Sequence, residues 1–372
     1  MPRLSLEELK RLVRKIEFNK TEPELLVELI QKAKAAGEEE RTRLKRITKK
    51  SQELFKLLKQ NGLLCPIDVS ENTLKTLRNV PVGSVDGSFQ VTGGRSGLWY
   101  VIIGVSQVLA EHGFTVHPKV LVDGIVEPIE AIDEADAKRE AEKLMMLAEI
   151  KAMLRTVEPL KESNIAYLFI DGPIIDPPWF SDKKYIEKRV NALKFCMENN
   201  IIVIGFVKRI LGRKFINFLK NILEESVLDD YINDFDLLTS VLFNAVKEEN
   251  GIPVYTKPTE YDEKLSKTYN LYKEKELLIY YSYYKPHVRG GVYCVELASS
   301  TEIDEENLLS EYQKIMSLIR GVWTLPGLMQ PLPIMIAHTK CNVRKGAADT
   351  LYYEIMTRAF SEGITQSWVM FF

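Results

Sequence analysis

The chain has 372 residues, 45% of them hydrophobic, and a formal net charge of −2, so it can bury one large core or two modest ones, and any polyanion binding would need local basic patches. Four scattered cysteines at positions 65, 196, 294 and 341 form no C-x-x-C pair, which leaves neither a zinc knuckle nor a disulfide framework indicated. No run approaches the roughly 18 apolar residues of a membrane span, and the start, MPRLSLEELKRLVRK, lacks the apolar core of a signal peptide; a cytoplasmic protein with no membrane partner is expected.

Residues 1 to about 62 read as helix. Leu9, Leu12, Val13 and Ile16 fall at helical spacing, Ser5 and Glu8 suit a capping box, and a second start is expected at Thr21 to Glu24, with Pro23 in the first turn. Residues 1–60 carry sixteen Lys/Arg against ten Asp/Glu, which suits a solvated helical arm or a clamp on phosphates. Two units are expected, an N-terminal helical arm over 1–78 and a sheet-based domain over 79–372. From residue 80 the runs VPVGSVDGSFQV, LWYVIIGVSQVLA and PKVLVDGIVEPI predict three antiparallel strands. Then come a helix from Asp133 to about Val157, the strand IAYLFIDG, a helix from Asp182 to Glu198 and the strand IIVIGFVK, an alternation that implies parallel strands with helical crossovers. Residues 212–225 and 234–248 read as helices, ELLIYYSYY and GVYCVEL as strands, and two helices close the chain. The class is α/β, a mixed sheet in which a three-strand meander leads into βαβ units, with added helices.

In such sheets ligands gather at the carboxyl ends of strands where the strand order switches. Three Asp-Gly pairs lie in strand contexts. Asp123-Gly124, between VLV and IVEPI, reads as a tight turn. Asp86 and Asp171 are charges on otherwise buried elements, and each needs a partner or a cation. Adjacent strands would bring the two close, and a divalent metal is the usual reason such a pair persists. Glu149 joins them because its helical neighbours Met145, Met146, Ala152 and Met153 are apolar, whereas Glu142 and Glu158 sit among Lys and Arg; an ordinary pairing with an arginine stays open for it. Three hard oxygen ligands suit Mn²⁺ or Mg²⁺, and two ions would serve an in-line phosphoryl displacement.

His338, after what reads as an apolar strand, could orient or protonate a phosphate oxygen. Lys208, Arg209 and Arg213 put positive charge at a strand end where phosphate would approach. Asp236 opens a helix as a cap and is a candidate outer-shell acid. The loop FQVTGGRSG, with Arg95, reads as a hairpin turn or a place for a nucleic-acid strand to approach; it fails the P-loop pattern. Tyr280, Tyr281, Tyr283 and Tyr284 could stack bases only on one face, because strand alternation splits them.

Several blocks occur in a telling order over roughly residues 80–345: VGSVDGS, Glu149 within LMMLAEIKAML, LFIDGPI, DFDLLTSVL, VYCVELASS and LPGLMQPLPIMIAHTKCNVRK. They resemble the archaeal and bacterial NurA nucleases, which work beside the HerA hexameric translocase in processing DNA ends. The resemblance implies an RNase H-like, Piwi-related core and a manganese-preferring 5′ to 3′ single-strand exonuclease with endonuclease activity. It also implies work in DNA end resection for recombinational repair and a homodimer that docks on a HerA-type ATPase. The motif positions map onto Asp86, Glu149, Asp171 and His338, whereas Lys208 is matched only by its place at a strand end, and Pro173 after the second Asp-Gly departs from the ordinary pattern. The terminal SWVMFF reads as a packed last element or as a docking tail through Trp368, Phe371 and Phe372. Two other readings compete: a phosphotransferase or ATPase of the actin and sugar-kinase type, which requires a duplicated domain, and a non-catalytic nucleic-acid or translocase adaptor.

Overall fold

The computed structural model describes residues 22–94, 97–162, 165–175, 182–262, 267–325 and 328–360. The three expected strands are β2 (Val82–Gly93), β3 (Leu98–Ala110) and β4 (Lys119–Glu130), paired antiparallel in chain order. A crossover through α3 (Glu134–Leu160) brings β5 (Ala166–Asp171) parallel to β2, and a second through α4 (Lys183–Glu198) brings β6 (Ile201–Val207) parallel to β5. Both helices start where the sequence marks them: Asp133 accepts from Asp136 N at 2.8 Å and Asp182 from Tyr185 N at 3.1 Å, each satisfying an otherwise orphan amide.

Beyond β6 the sheet turns antiparallel. β10 (Tyr293–Ser299) pairs with β6 and with β9 (Leu278–Lys285), which also takes β7 (Val254–Thr256) and the short β8 (Thr259–Glu260); β1 (Leu64–Pro66) closes that side against β7. Among the described residues this is one ten-stranded mixed sheet with β5 and β2 inside it, of the RNase H-like class. No second copy of the β2–β6 arrangement occurs in it, so the duplicated domain that a sugar-kinase reading needs is missing from the described residues.

Side-chain alternation sends successive residues to opposite faces. On one face Val85, Leu168, Ile170 and Val203 pack under α3 and α4, together with α5 (Lys214–Lys220) and α6 (Asp234–Glu248). On the other, Val82, Tyr167, Phe169, Ile204 and Phe206 are covered by α8 (Glu305–Ser317), the π-helical turn Leu318–Trp323 and α9 (Leu332–Cys341). The four tyrosines of β9 are all core: Tyr281 and Tyr283 fill one face, Tyr280 and Tyr284 the other, so none is available to stack a base.

Helix α1 (Pro23–Gln60) begins at the expected proline. It is mostly exposed up to residue 46, after which Ile47, Leu54, Phe55 and Leu58 are buried in the main core, and β1 then joins the sheet. Three departures from the sequence reading have simple causes. Asp123 and Gly124 lie in mid-strand, opposite Val105 and Gly104, and make no turn; β4 is an exposed edge, where a polar pair is tolerated and Asp123 meets Arg155 at 3.1 Å. The run before His338 is helix rather than strand, since Ile334, Ala337 and Cys341 recur at helical spacing to bury one face. Among the described residues three helices, not two, follow β10, the third being α10 (Lys345–Phe360).

Candidate functional site

Asp86 sits on β2 and Asp171 ends the neighbouring β5, and both side chains leave the sheet on the face covered by α9. His338 on α9 meets them there, with Nδ1 at 2.8 Å from Asp86 Oδ2 and 3.4 Å from Asp171 Oδ2. One ligand atom from each of these three residues lies within 4.8 Å of the other two. Lys208, just past β6, donates from Nζ to Asp171 Oδ2 at 2.6 Å. The carboxylates are buried, whereas the His338 side chain is 51% exposed, so the group opens to solvent on the histidine side.

Glu149 reaches the site from α3, on the opposite face. Its Oε1 would lie 2.9 Å from a Cβ placed on Gly87, as would Met145 Cγ, so the glycine after Asp86 is what makes room for it. It stands beside the Asp86–Asp171–His338 cluster without belonging to it. Buried Arg189 acts on it electrostatically, as do the two aspartates.

The electrostatics of the group are those of crowded, desolvated acids. Burial pushes the Asp86 carboxyl up to about 7, the Asp171 carboxylate adds to the rise, and the Cys341 thiol and Lys208 oppose it. Burial likewise raises Glu149 to about 8, against the pull of Arg189 and with a further push from Asp86 and Asp171. A carboxyl raised on folding stabilises the native state below its unfolded value near 4, and that contribution is lost as pH climbs through the folded value. The melting temperature in EDTA is therefore expected to fall between pH 5 and 8.5, and the increment from added Mn²⁺ to grow over the same span, because the cation needs the ionised ligands. Thermal scans at several pH values, with and without the ion, check both slopes; a Mn²⁺ increment that is flat with pH would contradict the arrangement.

The cluster depends on how α9 docks. Ser106, opposite Asp86 on β3, donates to Ala337 O at 2.7 Å; Ser88 donates to Cys341 O at 2.6 Å and accepts from Val343 N at 2.8 Å. Gly104 lets the helix end come down, since a Cβ there would lie 2.2 Å from Cys341 O. On the Asp171 side the residues after β5 cross over β6, where Gly172 N donates to Phe206 O at 3.1 Å above the bare Cα of Gly205. Buried Glu296 on β10 holds that loop by accepting from Ile174 N at 2.7 Å, and Tyr261 donates to the same carboxylate. Gly104, Ser88, Cys341 and Glu296 were not singled out from the sequence. VYCVELASS marks Glu296 as an acid inside a buried strand, the one signal that was there to be used.

Other candidates fall elsewhere. Asp236 pairs with Arg43 of α1 at 2.5 Å and accepts from Ile232 N, while Asn233 is the cap of α6; its carboxylate ties two helices together rather than serving as an outer-shell acid. Arg213 donates to Tyr231 O and Ile232 O, both at 2.9 Å, so its guanidinium is spent on the loop before α6 instead of on a strand-end phosphate. Arg209 is exposed beside Lys208. Arg95, Trp368, Phe371 and Phe372 lie outside the described residues.

A family model described as the NurA domain matches residues 80–338, more than half of the chain and ending on His338. No curated protein sequence matches. Among solved structures, the NurA nuclease from Sulfolobus solfataricus superposes with a TM-score of 0.60 at 14% identity, over 94% of this chain and all of that one (100%). A second NurA structure gives a TM-score of 0.44 at 15% identity, covering 86% of this chain and 97% of that one. Endonuclease V from Bacillus subtilis gives 0.33 at 12% identity, covering 76% and 91%. At these identities the likeness speaks for the fold, and the family assignment stands on the match over residues 80–338: the chain belongs to the NurA family of nucleases.

Proposed function

We propose that the protein is a divalent-metal-dependent DNA nuclease whose site is Asp86, Asp171 and His338, with Glu149 and Lys208 beside them. The observation that carries this reading is the convergence of two buried carboxylates and one half-exposed imidazole within 4.8 Å. Hard carboxylate oxygens with a single nitrogen donor suit Mn²⁺, or Mg²⁺ with the nitrogen left to water. A carboxyl such as Asp86, which burial and the neighbouring Asp171 charge disfavour as an anion, is the kind of group that a cation stabilises. Ions held there, two in number on this reading, would supply Lewis acidity to a phosphodiester.

The chain's own residues then divide the work. Lys208 keeps Asp171 paired while its side chain stays partly exposed, placed to meet a phosphate oxygen. His338 presents Nδ1 to the carboxylates and keeps half its side-chain surface open, placed to carry a proton to or from a phosphate oxygen. Glu149, close to Asp86 across Gly87, completes the acidic set from the far face. Arg209, exposed next to Lys208, is the DNA contact at that strand end.

The finer reading follows the family: 5′ to 3′ exonuclease action on single strands with endonuclease action on single- and double-stranded DNA, in DNA end resection, as a homodimer beside a HerA-type hexameric ATPase. The expected arm over 1–78 is continuous with the nuclease domain from Ile47 on, since its later residues share the main core and β1 joins the sheet; the C-terminal aromatics Trp368, Phe371 and Phe372 serve as the docking tail. Circular single-stranded DNA, linear duplex labelled at either end and supercoiled plasmid, each incubated with Mn²⁺ and with EDTA, test the activity. Cleavage with Mn²⁺ that EDTA abolishes is the expected result, and inertness on all three substrates would refute it. Glu149→Gln, which keeps shape and removes charge, is expected to slow cleavage on the order of 10²-fold; turnover within twofold of wild type would take Glu149 out of the site.

A further inference from the structure

We propose that the turn between β9 and β10, Lys285 to Gly291, together with Arg320 of the π-helical turn, binds a backbone phosphate of the nucleic-acid strand that runs into the carboxylate site. The inference rests on the nuclease reading for the identity of its ligand.

The turn gathers cations without anions. Lys285 is 3% exposed, and its ammonium donates to Gly290 O. Arg320 donates from Nε to Pro286 O at 3.0 Å and from Nη1 to Thr324 O at 3.4 Å. Arg289 is exposed, and its side chain makes no hydrogen bond among the described residues. Among those residues no carboxylate pairs with any of the three. By contrast Arg43, Lys50 and Lys59 of α1 are all ion-paired. A buried ammonium satisfied by one carbonyl is costly to hold, and an anion in the turn would offset that cost. His287 registers the same field, since burial and then Arg320, Lys285 and Arg289 push its pKa down.

Placement gives the anion its identity. Asp171 lies opposite Phe206 on β6, and Phe206 opposite Val295 on β10. Because β10 runs antiparallel to β6, the turn that precedes it protrudes at the same end of the sheet as the carboxyl end of β5 and Lys208. Two inter-strand steps put it about 10 Å to the side of Asp171, and the residues from Val295 back to Gly291 carry it about 13 Å further along the strand direction, a separation of about 16 Å or about five phosphates along a stacked strand. A strand whose scissile phosphate sits at the carboxylates would pass Lys208 and Arg209 and then meet Arg289. The geometry fits a phosphodiester, read without regard to base.

The test uses the full chain in EDTA, so that binding is measured apart from cleavage. Arg289→Ala is expected to weaken binding of a 20-nucleotide single strand by about 5-fold and Arg289→Glu by about 20-fold, and to reduce the slope of log K against log salt by about 0.7. Hydrolysis of bis(p-nitrophenyl) phosphate with Mn²⁺, a substrate too short to reach the turn, should stay within twofold of wild type. Unchanged affinity and salt slope in both variants would overturn the proposal, as would an equal loss on the short substrate. A wild-type protein that binds the oligonucleotide yet hydrolyses neither substrate would sink the nuclease reading and leave the binding comparison to decide the turn.

Discussion

Asp86→Ala and Asp171→Ala are each expected to lower Mn²⁺-supported DNA cleavage by a factor on the order of 10³ or more, while the melting temperature in EDTA stays level or rises. The two readouts diverge because burial and the Asp171 charge together raise Asp86 to about 7: Asp86→Ala removes that desolvated carboxyl, and Asp171→Ala removes the charge that opposes it. In Mn²⁺ the relation inverts, and both variants should lose the thermal increment that the ion gives the wild type. The His338 contacts at 2.8 and 3.4 Å make the same point from the other side, since each alanine leaves the imidazole one acid partner instead of two. Kinetics on a labelled single strand with parallel thermal scans decide it. Cleavage within tenfold of wild type in either variant would break the assignment, and a collapse of stability in EDTA would show that the acids are structural.

Gly104→Ala is expected to be nearly as damaging without touching any acid. The added Cβ would meet Cys341 O at 2.2 Å, a backbone atom at the end of α9 that cannot swing aside, and Val343 Cγ2 at 3.1 Å. Lifting α9 costs about 1–3 kcal/mol of stability and moves His338 off the carboxylates; a displacement of about 1 Å at such a site is worth on the order of 10²-fold in rate. The control is adjacent in the sheet. Gly124 pairs with Gly104 across β3 and β4, yet a Cβ on it meets nothing within 4 Å, so Gly124→Ala should cleave DNA at the wild-type rate. Equal behaviour of the two alanine variants would remove the helix docking from the account.

These two glycines mark where the sequence is legible and where it stops being so. The strands carrying Asp86 and Asp171 were readable because their apolar runs have strand length and are bounded by polar and Gly residues, and Glu149 because its helical neighbours are apolar. All three signals are local. Asp123-Gly124 carries the same dipeptide as Asp86-Gly87 and differs only in belonging to an edge strand, a fact about pairing that no local pattern contains. His338 is legible as a residue but not as part of a helix, because a ten-residue helix with Ile334, Ala337 and Cys341 inward also reads as a short apolar run. Arg213 reads as a strand-end phosphate contact and Asp236 as a cap and candidate outer-shell acid, whereas the structure commits them to Tyr231, Ile232 and Arg43, contacts set by the packing of α6 against its neighbours. The roles of Gly104 and Glu296 depend on partners far along the chain, Cys341 for one and Ile174 for the other, so neighbouring residues could not announce them.

The docking of α9 also sets an order of assembly during synthesis. Asp86, Glu149 and Asp171 leave the ribosome early, while the bonds that seat His338, from Ser88 to Cys341 O and from Val343 N back to Ser88, join residues 253 and 255 positions apart. A nascent or prematurely terminated chain that stops short of residue 338 carries every acid of the site and lacks the helix that covers them. On this reading the acids wait for α9, and the site is complete only once that helix has been made and has docked.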